Sequence, residues 1–206
     1  MIKYHEMEQK SDEWFDERNK HPFTASNATA IKTAGAGLET LCWQSVADRL
    51  SNVRDNFESE AMKRGNEQEA LILSSFELQS GIFLKDIGFV TNSKYKLAGA
   101  SPDSYTDEET VEVKSFGKVK YLKLLAEFKE TKSFDIEGKY YDQIQYQMMI
   151  MEKDKGWFVV GNSDMKEPII WKLIEKDLEL HEKFKIGLAV GEQIIIKIEK
   201  KLCLKK

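Results

Sequence analysis

The stretch Gly99–Phe116, GASPDSYTDEETVEVKSF, decides how the rest of the chain is read. In an extended strand, side chains i and i+2 share a face. Val111 and Val113 therefore point one way, toward a core, while Glu112 and Lys114 point the other. The acidic run Ser104–Glu109 reads as a turn. If the segment before it folds back on the segment after it, Asp103 falls near Glu112. Two carboxylates and an ammonium then converge. Such carboxylates suit Mg²⁺, a hard cation that takes oxygen ligands, with the Val113 carbonyl as a further oxygen. Lys114 is then placed to orient an attacking water and to stabilise charge on a phosphate. On this strand alone, an exposed Glu–Lys pair at a sheet edge explains the pattern equally well.

The totals bound the answer. The chain has 206 residues, 41% apolar and 32% charged, enough for a core beneath a hydrated surface and consistent with one domain over 1–206. No run approaches the apolar length of a membrane span, and the mixed, charged N-terminus MIKYHEMEQKSDEW does not read as a secretory signal. Cys42 and Cys203 are too few and too far apart for a disulfide framework or a zinc site, so a reducing cytoplasm is the expected compartment. A net charge of −4 leaves nucleic acid as a partner only if a basic groove is concentrated locally. The end KIEKKLCLKK reads as a solvated tail.

Periodicity divides the chain. SDEWFDERNK is amphipathic and is broken at His21-Pro22, and TASNATAIKT starts a short helix with Ser26 as its N-cap. Leu38, Leu41, Cys42, Val46 and Leu50 recur at helical spacing. A longer helix runs through ESEAMKRGNEQEALILSSFELQSG and stops at Gly81. IFLKDIGFVTN, YKLAGASPD and TVEVKSF read as a three-strand meander. GKVKYLKLLAEF and YYDQIQYQMMIM return to helix, GWFVVGN and EPIIWKLIE are strands, and a last helix starts near Asp177. The order predicts an α/β to α+β fold with a central mixed β-sheet flanked by helices.

Two helical segments add polar candidates. In KRGNEQEA, Glu69 follows Gly65 by one turn and is a candidate third acid, with Gly65 allowing another backbone to approach. In YYDQIQYQMMIM, Gln143 and Gln147 share a face close to Tyr140, and amides can hold water or a phosphate oxygen. Taken singly, a solvated Glu and outward-facing glutamines beside an Ile144, Met148, Met151 stripe are the simpler readings.

Taken in order, DEWFDER, TASN, RGNEQEA, ASPD, VEVK, YYDQIQYQM and GWFVVGN resemble the PD-(D/E)XK nucleases, and within them the lambda exonuclease or YqaJ-type viral recombinase family, over nearly the whole chain. The resemblance implies a restriction-endonuclease-like fold and an Mg²⁺-dependent, ATP-independent exonuclease, with Mn²⁺ as an alternative ion. It implies 5′-to-3′ digestion of one strand of duplex DNA to 5′-mononucleotides, leaving a 3′ overhang for an annealing partner. A homotrimeric ring, a phage or prophage origin and a bacterial cytoplasm belong to the same expectation. Residue by residue, it implies Asp103, Glu112, the Val113 carbonyl and Glu69 as metal ligands, Lys114 as positioner of the water, and Gln143 as a supporting amide. Arg18 and Ser26 match positions that grip a 5′-terminal phosphate, and Met62 matches a position that wedges the duplex open. Lys32 is the one cation near a further phosphate-binding position, and Lys118, Lys120 and Lys123 are candidate backbone contacts. A sister nuclease with endonuclease action or opposite polarity, and a non-catalytic DNA-binding protein of the same fold, are the alternatives.

Overall fold

A computed structural model of the chain describes residues 1–51 and 60–203; for residues 60–64 and 66 it describes the backbone alone. The described residues form eight strands and seven α-helices. Strand β1 (Ile2–His5) precedes α1 (Asp12–Lys20), β2 (Phe23–Thr24) and a 3₁₀ turn (Ala25–Asn27). Helices α2 (Ala28–Thr33), α3 (Ala36–Leu50) and α4 (Glu60–Ser80) follow, then β3 (Phe89–Asn92), β4 (Ala98–Ala100), β5 (Ser104–Tyr105) and β6 (Glu109–Ser115). Helices α5 (Lys118–Thr131) and α6 (Gly138–Met151) cross to β7 (Lys155–Gly161), β8 (Ile169–Glu175) and α7 (Leu178–Lys201).

The architecture is mixed α/β, as expected, but with two four-stranded sheets in place of one, ordered β1-β3-β4-β2 and β5-β6-β7-β8. The expected meander divides between them. β3 pairs antiparallel with β4 in the first sheet, whereas β6 pairs with β5 in the second. IFLKDIGFVTN is strand only at its end, because Gly81 ends α4 with φ +73 and Lys85 makes a single bridge to Tyr105. In the second sheet β6 and β7 are parallel, joined through α5 and α6, and β8 returns antiparallel.

Helices cover the second sheet on both faces. Val111, Val113 and Val159 pack on Ile72 and Phe76 of α4. Phe158 and Val160 pack on Tyr121 of α5 and on Ile144 and Met148 of α6. Each such buried side chain contributes about 1.5–3 kcal/mol. A third cluster joins the first sheet to α2, α3, α6 and α7 through Phe23, Ile31, Leu38, Tyr146, Phe184 and Ile195.

Helix α6 lies in two of these clusters and is covered nearly all round, the behaviour of a helix inside a core. Its glutamines therefore do not face outward as the sequence suggested. Gln145 and Gln147 are wholly buried and must be hydrogen-bonded. Gln145 donates to the Glu175 carbonyl at 2.7 Å and accepts from the Asp177 N–H at 2.9 Å. The expected C-terminal tail is largely the end of α7, because Ile195 and Ile198 extend its buried stripe.

Candidate active site

Strand β6 behaves as its alternation predicts. β5 and β6 pair with Ser104 opposite Val111 and Tyr105 opposite Thr110, so one step further sets Asp103 against Glu112. Asp103 Oδ2 accepts the Val113 N–H at 2.6 Å. Lys114 Nζ donates to Glu112 Oε1, and Gln147 Nε2 donates to Glu112 Oε2 at 2.5 Å.

Glu112 is only 1% exposed, and its charge is costly to bury. Burial first, and then the charge of Asp103, push its carboxyl up to about 7, against the pull of Lys114 and Gln147. Burial raises Asp103 too, opposed by Lys114, the Val113 N–H and Lys10. Glu69 is raised by burial and then by Asp103, and Lys114 and Lys10 oppose the rise, so Glu69 belongs to the same electrostatic group. Burial alone would lower Lys114; Glu112, Asp103 and Glu69 outweigh it and hold the ammonium charged.

Among the described residues, no three carboxylate, imidazole or thiol groups close around an ion, and the Lys114 ammonium supplies the local counter-charge. The chemistry of the group still suits a hard cation: carboxylate oxygens share a water-poor site whose ionisation is unfavourable without one. Among the described residues the buried Gln147 Oε1 has no hydrogen-bond partner, a further oxygen beside Glu112.

The loop that carries Asp103 is held from the N-terminal segment. Gln9 Nε2 donates to the carbonyls of Pro102 (2.8 Å) and Ile87 (3.0 Å). The Trp14 indole N–H reaches Ser101 Oγ at 2.8 Å and the Gly88 carbonyl at 3.0 Å. Sequence reasoning missed Gln9, Trp14 and Lys10. Lys10 is exposed with φ +69, a conformation uncommon outside glycine and a few polar residues.

The other expected residues fall as follows. Arg18 and Ser26 meet, with the guanidinium donating to Ser26 Oγ at 2.9 Å and lying 5.0 Å over the Trp14 ring. Ser26 lies within the 3₁₀ turn and not at a helix N-cap; that position before α2 belongs to Asn27. Lys32 is tied to the buried Asp142, 2.6 Å from Oδ2, which pins α2 to α6. Gln143 is half-buried, one turn before Gln147, and it is Gln147 whose amide reaches Glu112. The i,i+4 spacing put both on one face, and only the helix rotation distinguishes them. Among the described residues Gly65 approaches no other backbone: a Cβ built there meets none of them within 4 Å. Lys118 and Lys120 are exposed on α5, in ion pairs with Asp164 and Glu137, and Lys123 is exposed on the same helix. The side chain of Met62 lies outside the described residues.

Paired β5 and β6, a parallel β6–β7 crossover through helices, and helices over both faces of the sheet define the PD-(D/E)XK class of fold. The YqaJ-like viral recombinase domain model matches residues 13–154, and the chain belongs to that family. Among solved structures, the alkaline exonuclease LHK-Exo from Laribacter hongkongensis superimposes with a TM-score of 0.76 at 22% identity, over 94% of this chain and 98% of that one. Its complex with dAMP gives a TM-score of 0.77 at the same identity and coverage. A phage-related exonuclease from Haemophilus somnus gives 0.66 at 12% identity, over 87% and 96%. No curated protein matches the chain. Among the described residues no helix is long and apolar enough to cross a membrane.

Proposed function

We propose that this chain is a divalent-metal-dependent, ATP-independent exonuclease that digests one strand of duplex DNA from its 5′ end to 5′-mononucleotides. The reading is carried by one observation: Asp103, just before β5, is bonded to the Val113 N–H on β6 beside Glu112, and Lys114 is bonded to Glu112. Family membership and the shared fold with proteins described as exonucleases support it.

Asp103, Glu112, the Val113 carbonyl and Glu69 would hold Mg²⁺, or Mn²⁺ in its place. When bound, the ion supplies Lewis-acid polarisation of the phosphate and a more acidic water. The chain's own residues do the rest. The Val113 N–H fixes Asp103, and Gln147 fixes Glu112. Lys114, kept as an ammonium, orients the water and offsets charge growing on the phosphate. Burial lowers the Arg18 pKa by penalising its charge, a cost that a bound phosphate would offset. Its planar fork and the Ser26 hydroxyl suit a 5′-terminal phosphate.

In this reading the remaining 3′ strand passes to a single-strand annealing protein. The enzyme works as a homotrimeric ring in a bacterial cytoplasm, encoded by a phage or prophage. The test is digestion of linear duplexes labelled at either end, with and without a 5′ phosphate, in Mg²⁺. Loss of the 5′ label as mononucleotide, faster on phosphorylated ends, is expected. Release of 3′-terminal nucleotides or of internal fragments would point to a sister nuclease, and no cleavage to a binding protein.

A further inference from the structure

We propose that Lys10 is a second phosphate-binding cation of the active site, serving the bond to be cleaved from a turn anchored beside Asp103. The proposal rests on the reading of the Asp103–Glu112–Lys114 group as a nuclease site.

The turn is fixed one residue from the acid. The Ser11 N–H donates to the Glu8 carbonyl at 3.2 Å and closes a turn over Glu8–Ser11. The Gln9 amide ties that turn to the carbonyl of Pro102, the residue before Asp103, and to that of Ile87. Met7 lies so close to Gly88 that a Cβ at Gly88 would sit 2.2 Å from the Met7 carbonyl oxygen. On the other side, Ser11 Oγ accepts the Trp14 N–H at 3.2 Å and caps α1. Lys10 is thus carried on a stretch anchored at both ends, and its own side chain is exposed.

The backbone does not account for a lysine there. Lys10 is the third residue of the turn and has φ +69, whereas Gln9 before it is not among the residues with positive φ. A turn of that kind favours glycine or asparagine at its third position, because a Cβ crowds the backbone in this conformation. A lysine kept in such a place owes it to its side chain and to surroundings that hold it.

Electrostatics give the side chain a task. Asp103, Glu112 and Glu69 set three carboxylates against the Lys114 ammonium. That ammonium is bonded to Glu112 and mostly enclosed. A phosphate brought here meets surplus negative charge where water screens it little. Burial raises the Asp103 carboxyl, and burial and then Asp103 raise that of Glu69; Lys10 works against the rise in each, so its charge is felt at both acids. Unlike Lys114, it is an exposed ammonium on a flexible stem, free to close on a phosphate oxygen.

The experiment measures binding of a fluorescein-labelled, 5′-phosphorylated duplex in Ca²⁺ over a series of KCl concentrations, with thermal melting of each variant and cleavage in Mg²⁺ alongside. Lys10→Gly gives the turn a residue it favours and removes the ammonium. Its melting temperature should hold or rise, and its affinity at low salt should fall about tenfold, the scale of one charged hydrogen bond. The slope of log K against log [salt] should be shallower by about 0.9, the share of one phosphate contact. Lys10→Asn, which also accepts positive φ, should match Lys10→Gly, and Lys10→Arg should keep the wild-type slope. An unchanged slope in both neutral variants overturns the proposal. So does a lower melting temperature in Lys10→Gly with DNA binding intact, since Lys10 would then serve only to offset its acidic neighbours Glu8 and Asp12. Weakened binding in Lys10→Gly but not in Lys10→Asn overturns it as well, tracing the effect to a slackened turn. A wild-type protein that binds the duplex but cleaves none would sink the nuclease reading and leave the slope result standing.

Discussion

The N–H of Val113 donates to the carboxylate of Asp103 at 2.6 Å, so the backbone of β6 orients an acid that sits just before β5. An asparagine at position 103 keeps an oxygen for this bond and loses the charge. Asp103→Asn should therefore fold normally and cleave DNA at least 10²-fold more slowly, with more Mg²⁺ needed for half-maximal rate. Metal titration of the initial rate, set against an unchanged circular dichroism spectrum, checks it. An unaltered metal requirement would remove Asp103 from the ligand set.

Lys114→Ala should abolish measurable cleavage, a loss on the order of 10²–10³-fold or more, the scale seen when a charge-stabilising donor is removed. DNA binding should persist, because Lys114 is mostly enclosed by its own carboxylates. Gel-shift and digestion assays on the same preparation separate the two. Full activity would exclude Lys114 from the chemistry.

The active strand was legible because its alternation is strict: Val111 and Val113 can face only a core, and the intervening Glu112 and Lys114 must share the other face. The long helices were legible for the same reason at a different period. What escaped was short or set by tertiary contact. β2 is two residues whose strand character comes from pairing with Ala98 and Gly99, so no local pattern announces it. The division into two sheets depends on which neighbour each short strand finds. Gln147 could not be told from Gln143, since only the packing of α6 fixes which amide reaches Glu112. Ser26 reads as a cap because serine caps helices, but α2 begins two residues later and its hydroxyl is free to accept from Arg18.

Gln147→Leu keeps the volume of a buried side chain and removes the donor to Glu112. Groups that orient metal ligands typically contribute 10–100-fold to metal affinity or activity. A drop of that size in rate, with a raised Mg²⁺ requirement, is expected. Gln143→Leu, measured in parallel, shows which amide supports the site, and an unaffected Gln147→Leu enzyme would assign the role away from Gln147.

Arg18 lies over Trp14 and bonds Ser26, so its fork is held in place before any ligand arrives. Arg18→Lys retains charge and loses the fork, and the two residues are not equivalent at such a site. Both Arg18→Lys and Arg18→Ala should lose the preference for 5′-phosphorylated ends and shorten each run of digestion. Single-turnover cleavage should change less. Processivity on long duplexes with and without a 5′ phosphate reads this directly, and an unchanged preference would count against the assigned grip.

Burial, and then Asp103, raise the Glu112 carboxyl to about 7 from an ordinary value near 4.5, so the folded protein holds that proton more tightly than the unfolded chain does. The stabilisation is complete below about pH 4.5 and is lost as pH rises through about 7. Asp103 and Glu69 are shifted in the same direction and deepen the loss. Lys114 is raised above the usual lysine range, so its own titration falls outside this window. In chelator, the melting temperature should fall between pH 5 and pH 8, and Glu112→Gln should flatten the slope. Excess Mg²⁺ should flatten it as well, since a bound cation offsets the carboxylate charges that ionisation exposes. A wild-type slope equal to that of Glu112→Gln would mean that the buried carboxyl is not the group that titrates.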